Sequence, residues 1–461
     1  MVTTETPGRT PGQTPAQTAD QSAGARKVLG IPATAVRRAR KSAASTPGRL
    51  FVIGVGLVVL ALLTGVVGAL SLRQKDDTVD NLIEHREPLA TASQEIYRAL
   101  SDADATAASA FLAGGTPPVA LRERYEVDIA SAGANLAEAS ADVGGVTEAE
   151  QQVNDLAKEL PVYTGLVETA RAYNRQGYPA GAAYLREASG LMRSKILPAA
   201  ETLYAIDFER LVAEQEEARS VPWVTLLLVV ALLVALVATQ RYLTRRTNRL
   251  LNVGLLVATI AVALSLIWGT ASLWIASSKV AAGEDNGTQQ VESVVQARIV
   301  ALKLRANETL TLVARGDGGE YEEEWKKLSK QITGDSDANL LVRAESLAAN
   351  EEAATAIRDA RRNAEDWMAA HAKVREKDAG GNYEGAVKVA IGDERDSAAT
   401  MFSRLDANLF EALKHGREQF AAETSSASNA MLALAPGFAV LALLAAVGVT
   451  MGIRERLQEY R

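Results

Sequence analysis

The sequence predicts an all-α membrane protein in which four transmembrane helices alternate with two four-helix-bundle-like domains. Three observations lead to this fold class. Four long apolar runs contain no Lys, Arg, Asp or Glu, and the charged residues divide unequally between the segments that separate these runs. The two long segments between runs show apolar residues at helical spacing and no useful length of strand-like alternation.

Each apolar run is long enough to cross a membrane. The runs cover residues 50–72, 221–239, 250–275 and 431–453. A hydrocarbon core needs about 20 helical residues, whereas a run of roughly 10–14 residues would suit a buried core helix better. The first run follows a long tail and lacks a convincing small-residue cleavage site, so we expect an uncleaved anchor and not a signal peptide.

The charge distribution predicts the topology. The tail before the first run has 8 Lys+Arg against 2 Asp+Glu, and the short link 240–249 has 4 against none. The segments 73–220 and 276–430 instead have 14 against 25 and 20 against 27. By the positive-inside rule the link and both termini are cytoplasmic, and the two long segments lie outside a plasma membrane.

The predicted order of domains follows from these boundaries. It is a disordered cytoplasmic tail with a basic juxtamembrane segment (1–49), a first span (50–72), an extracytoplasmic bundle (73–220), a second span (221–239), a cytoplasmic link (240–249), a third span (250–275), a second extracytoplasmic bundle (276–430), a fourth span (431–453) and a cytoplasmic tail (454–461).

Gly and Pro residues divide each bundle into four helices. In the first bundle the predicted breaks are 114–118, 144–145 and 177–179, and Pro161 and Pro198 are expected to kink helices or to mark their ends. In the second bundle they are 316–319, a weak break within 334–337 or near Asn350, and 378–385.

The two halves are similar enough to predict a tandem duplication. Tyr178 and Tyr383 follow the third turn of each bundle, about 205 positions apart, and the first and third spans begin 200 positions apart. The thickness of the membrane could also impose similar lengths on unrelated segments.

Five polar residues of the first bundle form a candidate site. Asp102 and Asp104 lie on the first helix, and Arg122, Arg124 and Tyr125 lie on the second, which runs back antiparallel from the intervening turn. These side chains could meet near the end of the bundle farthest from the membrane. A surface salt-bridge cluster is the more usual outcome for such a set, and a ligand site is the alternative.

The turns farthest from the membrane are better placed to contact a partner protein. A chain that leaves the membrane and returns must place the first and third turns of each bundle at this distal end. The candidate residues are Arg175, Gln176 and Tyr178 in the first bundle and Asp317, Asn382 and Tyr383 in the second.

Basic residues near the membrane suggest contacts on the cytoplasmic side. The link carries the candidate contact residues Arg241, Arg245, Arg246 and Arg249. The basic stretch 37–41 of the tail is expected to touch anionic lipid.

Enzyme chemistry is not indicated by the sequence. There is no cysteine, and the three histidines, His85, His371 and His415, stand apart without metal-ligand spacing. No phosphate-binding loop, nucleophile elbow or H-E-x-x-H motif occurs. We therefore expect no enzymatic activity, no cofactor and no metal. Because the basic residues flank the spans, we also expect no nucleic-acid partner.

Three stretches resemble a known family. SDADATAASAFLAGG (101–115), RERYEVDIA (122–130) and LPVYTGLVETARAYNRQGYPAGAAYLREASGLM (160–192) are similar to the GlnX family of actinobacterial four-span membrane proteins. The resemblance covers roughly residues 85–215 and is only architectural in the second half. It implies two partners, a glutamine-binding-like lipoprotein, GlnH, and the Ser/Thr kinase PknG, but it transfers no functional residue.

Topology and resemblance together predict a transmembrane relay of extracellular aspartate, glutamate or asparagine availability to a cytoplasmic kinase. The kinase contact is direct or through an adaptor, and a homo-oligomer is compatible with this arrangement. Two alternatives stay open. One is an accessory or scaffolding subunit of a transport or envelope complex, and the other is a direct small-molecule sensor with chemoreceptor-like four-helix domains.

Overall fold

A computed structural model describes residues 46–141, 145–247, 252–333 and 339–458. Within these ranges the regular structure is helical, without strands, and four helices are long and apolar enough to cross a membrane. The all-α prediction and the four candidate spans are therefore confirmed. The predicted disordered tail and its basic stretch 37–41 lie outside the described residues.

Fifteen α-helices can be numbered along the described residues. The first half contains α1 (Thr46–Asn81), α2 (Glu87–Leu112), α3 (Val119–Ala141), α4 (Thr147–Arg175), α5 (Ala180–Leu191), α6 (Leu197–Arg219) and α7 (Trp223–Thr247). The second half contains α8 (Val253–Gly283), α9 (Gln289–Val313), α10 (Gly319–Ser329), α11 (Leu340–Ser346), α12 (Glu351–Ala379), α13 (Tyr383–Ile391), α14 (Ala398–Met431) and α15 (Leu434–Gln458). The candidate spans lie in α1, α7, α8 and α15.

Single π-helical turns join the helices that leave the membrane to the bundles. Residues Leu82–Arg86 connect α1 to α2, and Glu284–Thr288 connect α8 to α9. The chain is consequently helical without interruption from α1 through α2 and again from α8 through α9. A third π turn, Met192–Ile196, precedes Pro198, which lies in the first turn of α6 and does not end the helical path. Pro161 lies inside α4.

One of the two helices that return to the membrane is interrupted. Residues 220–222 separate α6 from α7, where Ser220 is extended with a ψ of 144°. Residues 432–433 form only a turn between α14 and α15, and Leu432 keeps helical backbone angles. The ammonium group of Lys75 on α1 donates to the carbonyl oxygen of Ala218 at 3.3 Å and to Ser220 Oγ at 2.6 Å. A cation at this position interacts favourably with the backbone carbonyl groups at the C-terminal end of α6.

The second bundle is less regular than the first. Its second helical segment consists of the short helices α10 and α11, and residues 392–397 separate α13 from α14. Asn350, near one predicted break, caps α12, because its Oδ1 accepts a hydrogen bond from the amide of Ala353 at 2.8 Å. The other predicted break, 334–337, lies outside the described residues.

The two bundles share one hydrophobic core. Helix α2 packs against α3, α6 and α9, while α9 packs against α2, α10 and α14. Residues 99–110 of α2 are buried without interruption, as are residues 304–313 of α9. A helix with neighbours on all sides needs small or apolar side chains over its whole circumference, and the sequence ALSDADATAASA of α2 supplies them.

In the membrane-spanning part, α15 packs between α1 and α8. Gly448 and Gly452 of α15 approach the backbone of α8 around Gly254 so closely that a Cβ atom would collide there. Small residues four apart allow this close approach of two helices. Asn252 caps α8 and also donates from Nδ2 to the carbonyl oxygen of Gly452 at 2.8 Å, so both polar atoms of its side chain are hydrogen-bonded.

Candidate functional site

Asp102 and Arg124 form a two-point ion pair between α2 and α3. Arg124 Nε donates to Asp102 Oδ2 at 2.8 Å, and Nη2 donates to Oδ1 at 2.9 Å. A planar guanidinium facing both carboxylate oxygens is a strong and orientation-specific contact. These two members of the predicted polar set therefore lie together.

The ion pair continues along α2 toward the membrane. One turn earlier, Arg98 donates to Glu95 Oε2 at 2.6 Å and to Asp128 Oδ1 of α3 at 3.3 Å. Asp128 is only 4 % exposed, and burial together with the nearby carboxylate of Asp102 raises its pKa to about 7.

The network then crosses to the second bundle. Arg298 of α9 lies 3.5 Å from Glu95 and donates from Nε to Asp406 Oδ1 of α14 at 2.7 Å. Arg298 is 3 % exposed. Burial alone would raise the pKa of Asp406, but the charge of Arg298 outweighs burial and lowers it. Ionic contacts thus lead from α3 through α2 and α9 to α14.

Two further contacts join the bundles. Lys303 of α9 lies 3.0 Å from Glu201 of α6, and Arg417 of α14 donates to Gln94 of α2 at 2.8 Å. Charged groups at an interface favour one register over alternatives, because displacement would leave them unpaired.

Asp104 lies apart from this network. Ser189 Oγ and Tyr163 Oη donate to Asp104 Oδ1 at 2.8 and 3.2 Å. Because helical residues two apart point about 200° away from each other, Asp102 and Asp104 cannot share one site. Burial raises the pKa of Asp104 to about 6, although the two hydrogen bonds and the charge of Arg193 act in the opposite direction.

The remaining members of the polar set are also divided. Arg122 is exposed and lies 3.8 Å from Glu126. Tyr125 is buried, and the guanidinium of Arg171 lies 4.1 Å from the centre of its ring. The five predicted residues therefore form one ion pair and three separate environments, not a single site.

The second bundle has a buried acid at a matching place. Glu308 of α9 receives hydrogen bonds from Arg305 Nη1 at 2.5 Å and from Trp367 Nε1 at 3.3 Å. His371 Nδ1 lies 3.0 Å from Glu308 Oε1, and the His371 ring stacks on Trp325 at 3.6 Å. His371, one of the three histidines that stand apart in the sequence, is part of this core.

Charge pairing governs this second cluster. Burial alone would raise the pKa of Glu308, but His371 and Arg305 outweigh burial and lower it. Burial opposes protonation of His371, yet hydrogen bonds with Glu308 and Glu322 raise its pKa. Charge pairing therefore outweighs burial at both Glu308 and His371.

Sequence reasoning missed the acid–aromatic pairs, although a signal exists. Tyr163 follows Asp104 by 59 residues, and Trp367 follows Glu308 by the same 59 residues. Each pair joins the first helix of its bundle to the helix that begins with Thr147 or Glu351. This repeated spacing becomes meaningful only when the two halves are compared.

The predicted distal residues of the first bundle form an exposed corner. Arg175, Gln176 and Tyr178 are all exposed where α4 turns into α5. Gly177 between them has a φ of +73°, which an L side chain rarely adopts. Tyr178 also packs edge-on against Tyr173, with ring centres 6.1 Å apart.

The predicted distal residues of the second bundle have structural contacts. Asp317 is exposed, whereas Asn382 caps α13 by accepting from the amide of Gly385 at 2.9 Å. Tyr383 is half-buried, and its hydroxyl donates to the carbonyl oxygen of Leu312 at 3.0 Å.

The predicted cytoplasmic contact residues lie at the end of α7. Arg241 and Arg245 are exposed and four residues apart, so they share one face of the helix. The side chain of Arg246 and the whole of Arg249 lie outside the described residues. Whether these residues contact a partner stays a prediction.

This arrangement is that of a membrane-anchored helical bundle whose core contains linked charges. Residues 78–216 match the family model of the actinobacterial sensor domain. The match extends from the end of α1 almost to the end of α6. No curated protein and no solved structure shows detectable similarity to the chain. The match supports a sensor-type actinobacterial protein and indicates a sensing or signalling role.

Proposed function

We propose that this protein is a transmembrane relay that reports extracellular aspartate, glutamate or asparagine. In this proposal a GlnH-like lipoprotein binds the amino acid outside the cell, and a PknG-like Ser/Thr kinase receives the signal inside, directly or through an adaptor. The sensor-domain match supports a sensing role. The lipoprotein and the kinase rest on the resemblance of residues 101–115, 122–130 and 160–192 to the GlnX family.

The uninterrupted helical path from membrane to bundle is the observation that carries the proposal. Helices α1 and α2 are continuous, as are α8 and α9, and α2 packs directly on α9. A displacement between α2 and α9 would therefore act on the first and third spans. Shifts of about 1–2 Å between packed helices are sufficient for such signalling.

An alternative route would transmit movement through the helices that lead into the second and fourth spans. The break at residues 220–222 interrupts the helix that leads into the second span, so a rigid movement would not pass through it intact. The proposal accordingly uses the first and third spans.

The exposed corner with Arg175, Gln176 and Tyr178 is the proposed lipoprotein contact. It lies at the distal end and combines a cation, an amide and an aromatic ring, which are residue types that protein interfaces use. Asp317 is the proposed contact in the second bundle, because Asn382 and Tyr383 are engaged in local contacts. On the opposite side, Arg241 and Arg245 are the proposed cytoplasmic contacts.

Binding of the lipoprotein to the complete protein in lipid nanodiscs tests the docking surface. The variant carries Arg175→Glu and Tyr178→Ala, and we expect at least tenfold weaker binding of the aspartate-loaded lipoprotein. Lys158→Glu is the control, because it reverses an exposed charge on α4 about 25 Å from Arg175. Equal binding by the double variant, with an unchanged melting temperature, would refute the corner as the docking surface.

Deletion of the gene separates the relay from the scaffold alternative. A relay requires kinase-dependent phosphorylation to lose its response to extracellular aspartate, and the full-length protein must restore that response. Loss of an envelope or transport complex with an intact phosphorylation response would favour the scaffold.

We also infer that the two halves arose by tandem duplication. Helices α4 and α12 both contain 29 residues, and a π turn follows both α1 and α8. The acid–aromatic pairs with equal spacing support the same history.

A further inference from the structure

A polar cavity lies between the two bundles. It has a volume of about 250 Å³ and is bounded by α2, α6 and its preceding π turn, α9 and α10. Liquid water occupies about 30 Å³ per molecule, so this space could contain several waters or one small solute. It is separate from the Asp102–Arg124 pair, which faces α3.

The buried residue Asn307 lines this cavity and has an unsatisfied polar atom. Asn307 is 3 % exposed, and its Oδ1 has no hydrogen-bond partner within the described part of the protein. A buried acceptor without a donor is unfavourable. A water or a ligand that reaches Asn307 would satisfy it.

Charged groups of both signs line the same cavity. Arg193 and Lys303 are the cations, and Asp104, Glu201 and Glu324 are the carboxylates. The guanidinium of Arg193 lies over the ring of Tyr321 at 5.0 Å, with donors suited to a carboxylate. The carboxylates and Asn307 Oδ1 are acceptors suited to an ammonium group.

We propose that this cavity binds a small zwitterion of amino-acid size, with its carboxylate toward Arg193 and Lys303 and its ammonium group toward Asp104 and Asn307. Charges of the two signs are interleaved in this cavity, since Lys303 pairs with Glu201 at 3.0 Å. A simple anion would also face the carboxylates, and a simple cation would also face Arg193 and Lys303. A molecule that carries both charges can match both sets of groups.

Bound in this place, the ligand would contact both bundles at once. Asp104 and Arg193 belong to the first bundle, while Lys303 and Asn307 lie one turn apart on α9 of the second. The ligand would therefore favour one relative position of α2 and α9. Direct ligand binding in the cavity is a second input beside the lipoprotein relay. Either the cavity proposal or the relay proposal can fail without the other.

Ligand binding to the complete protein in lipid nanodiscs, without any lipoprotein, tests the cavity. Each common α-amino acid is titrated separately, with succinate as the carboxylate-only probe and putrescine as the ammonium-only probe. Thermal shift identifies binding, and isothermal titration calorimetry measures the dissociation constant. We expect at least one amino acid to bind at least tenfold more tightly than succinate and putrescine.

Two substitutions locate the site. Arg193→Gln and Asn307→Ala should each weaken the best amino acid at least tenfold. Arg186→Gln, an exposed position on α5 away from the cavity, should leave its affinity unchanged.

Three results would overturn the proposal. These are no binding by any amino acid, equal binding of succinate or putrescine, and equal affinity in the wild type and both cavity variants. Melting temperatures without ligand show whether each variant is folded.

Discussion

Asp104 places an ionisable carboxyl group in the interior of the first bundle, where it is 1 % exposed. Its oxygen accepts from Ser189 and Tyr163, and burial raises its pKa to about 6. An acid in this environment makes the stability of the fold depend on pH. Other buried charges, such as Arg298, instead stabilise by pairing across the two bundles.

Asp104→Asn is expected to remove part of the pH dependence of stability. In the unfolded chain this carboxyl group has a pKa of about 3.9, so between about pH 4 and about pH 6 the folded state holds its proton more tightly. The free energy of unfolding therefore falls as the pH rises through this window, by about 3 kcal/mol in total. Asparagine retains an acceptor oxygen but does not titrate.

The measurement is the melting temperature of the wild type and Asp104→Asn in nanodiscs across this pH range. The variant should gain stability relative to the wild type as the pH rises. A difference that stays constant with pH would contradict the assignment.

Arg298→Met is expected to destabilise the protein by about 3 kcal/mol, because it leaves Asp406 and Glu95 without their shared cation. Methionine has a similar length but no charge. Arg122→Met is the matched control, since Arg122 is exposed and its nearest partner lies 3.8 Å away, so its loss should cost less than about 0.5 kcal/mol. Thermal unfolding of both variants is the measurement, and similar losses would show that the buried network is not stabilising.

Glycine residues allow α8 and α15 to lie close together. Apolar side chains gain little when they move from lipid to another apolar surface, so close packing of the two backbones has to hold these helices together. Their separation depends on the lack of side chains at Gly254, Gly448 and Gly452. The π turns keep α1 continuous with α2 and α8 continuous with α9, whereas residues 220–222 interrupt the path from α6 to α7.

Gly448→Leu is expected to force α8 and α15 apart and to destabilise the protein by about 2 kcal/mol or more. A side chain at this position would meet the carbonyl oxygen of Gly254 and the backbone of Ala258. Gly56→Leu is the control, because Gly56 lies in α1 with open space around the added Cβ. Melting temperatures in nanodiscs compare the two, and an equal response would argue against close glycine packing.

In the described part of the molecule, both bundles contribute to one hydrophobic core, and the spans form a second cluster. Each bundle was predicted as a domain in its own segment, 73–220 or 276–430. The packing of α2 on α9 makes the folding of one bundle depend on the other. A displacement of one bundle would therefore act on the other.

A segment containing residues 73–220 alone is expected to self-associate and to melt at least about 5 °C below the same segment joined to 277–430 by a flexible linker. The reason is that the buried face of α2 toward α9 would become exposed to water. Light scattering and circular dichroism measure the two effects. A monomeric segment with the melting temperature of the joined form would show that the bundles are independent.

The sequence by itself determined the helical class and the candidate spans, because hydrophobic length and helical periodicity are local properties. It also brought Asp102 and Arg124 within reach of each other, since a short turn makes α2 and α3 antiparallel neighbours. The caps, such as Asn350, are local for the same reason.

Only the tertiary structure decided which buried groups meet across the chain. Glu95 and Arg298 are about 200 positions apart, and their contact requires a particular rotation of α2 and α9 about their axes. Asp104 faces Tyr163 and not Arg124 for the same geometric reason. Periodicity tells which residues share a face of one helix, but the choice of the opposing helix depends on the packing of the whole core.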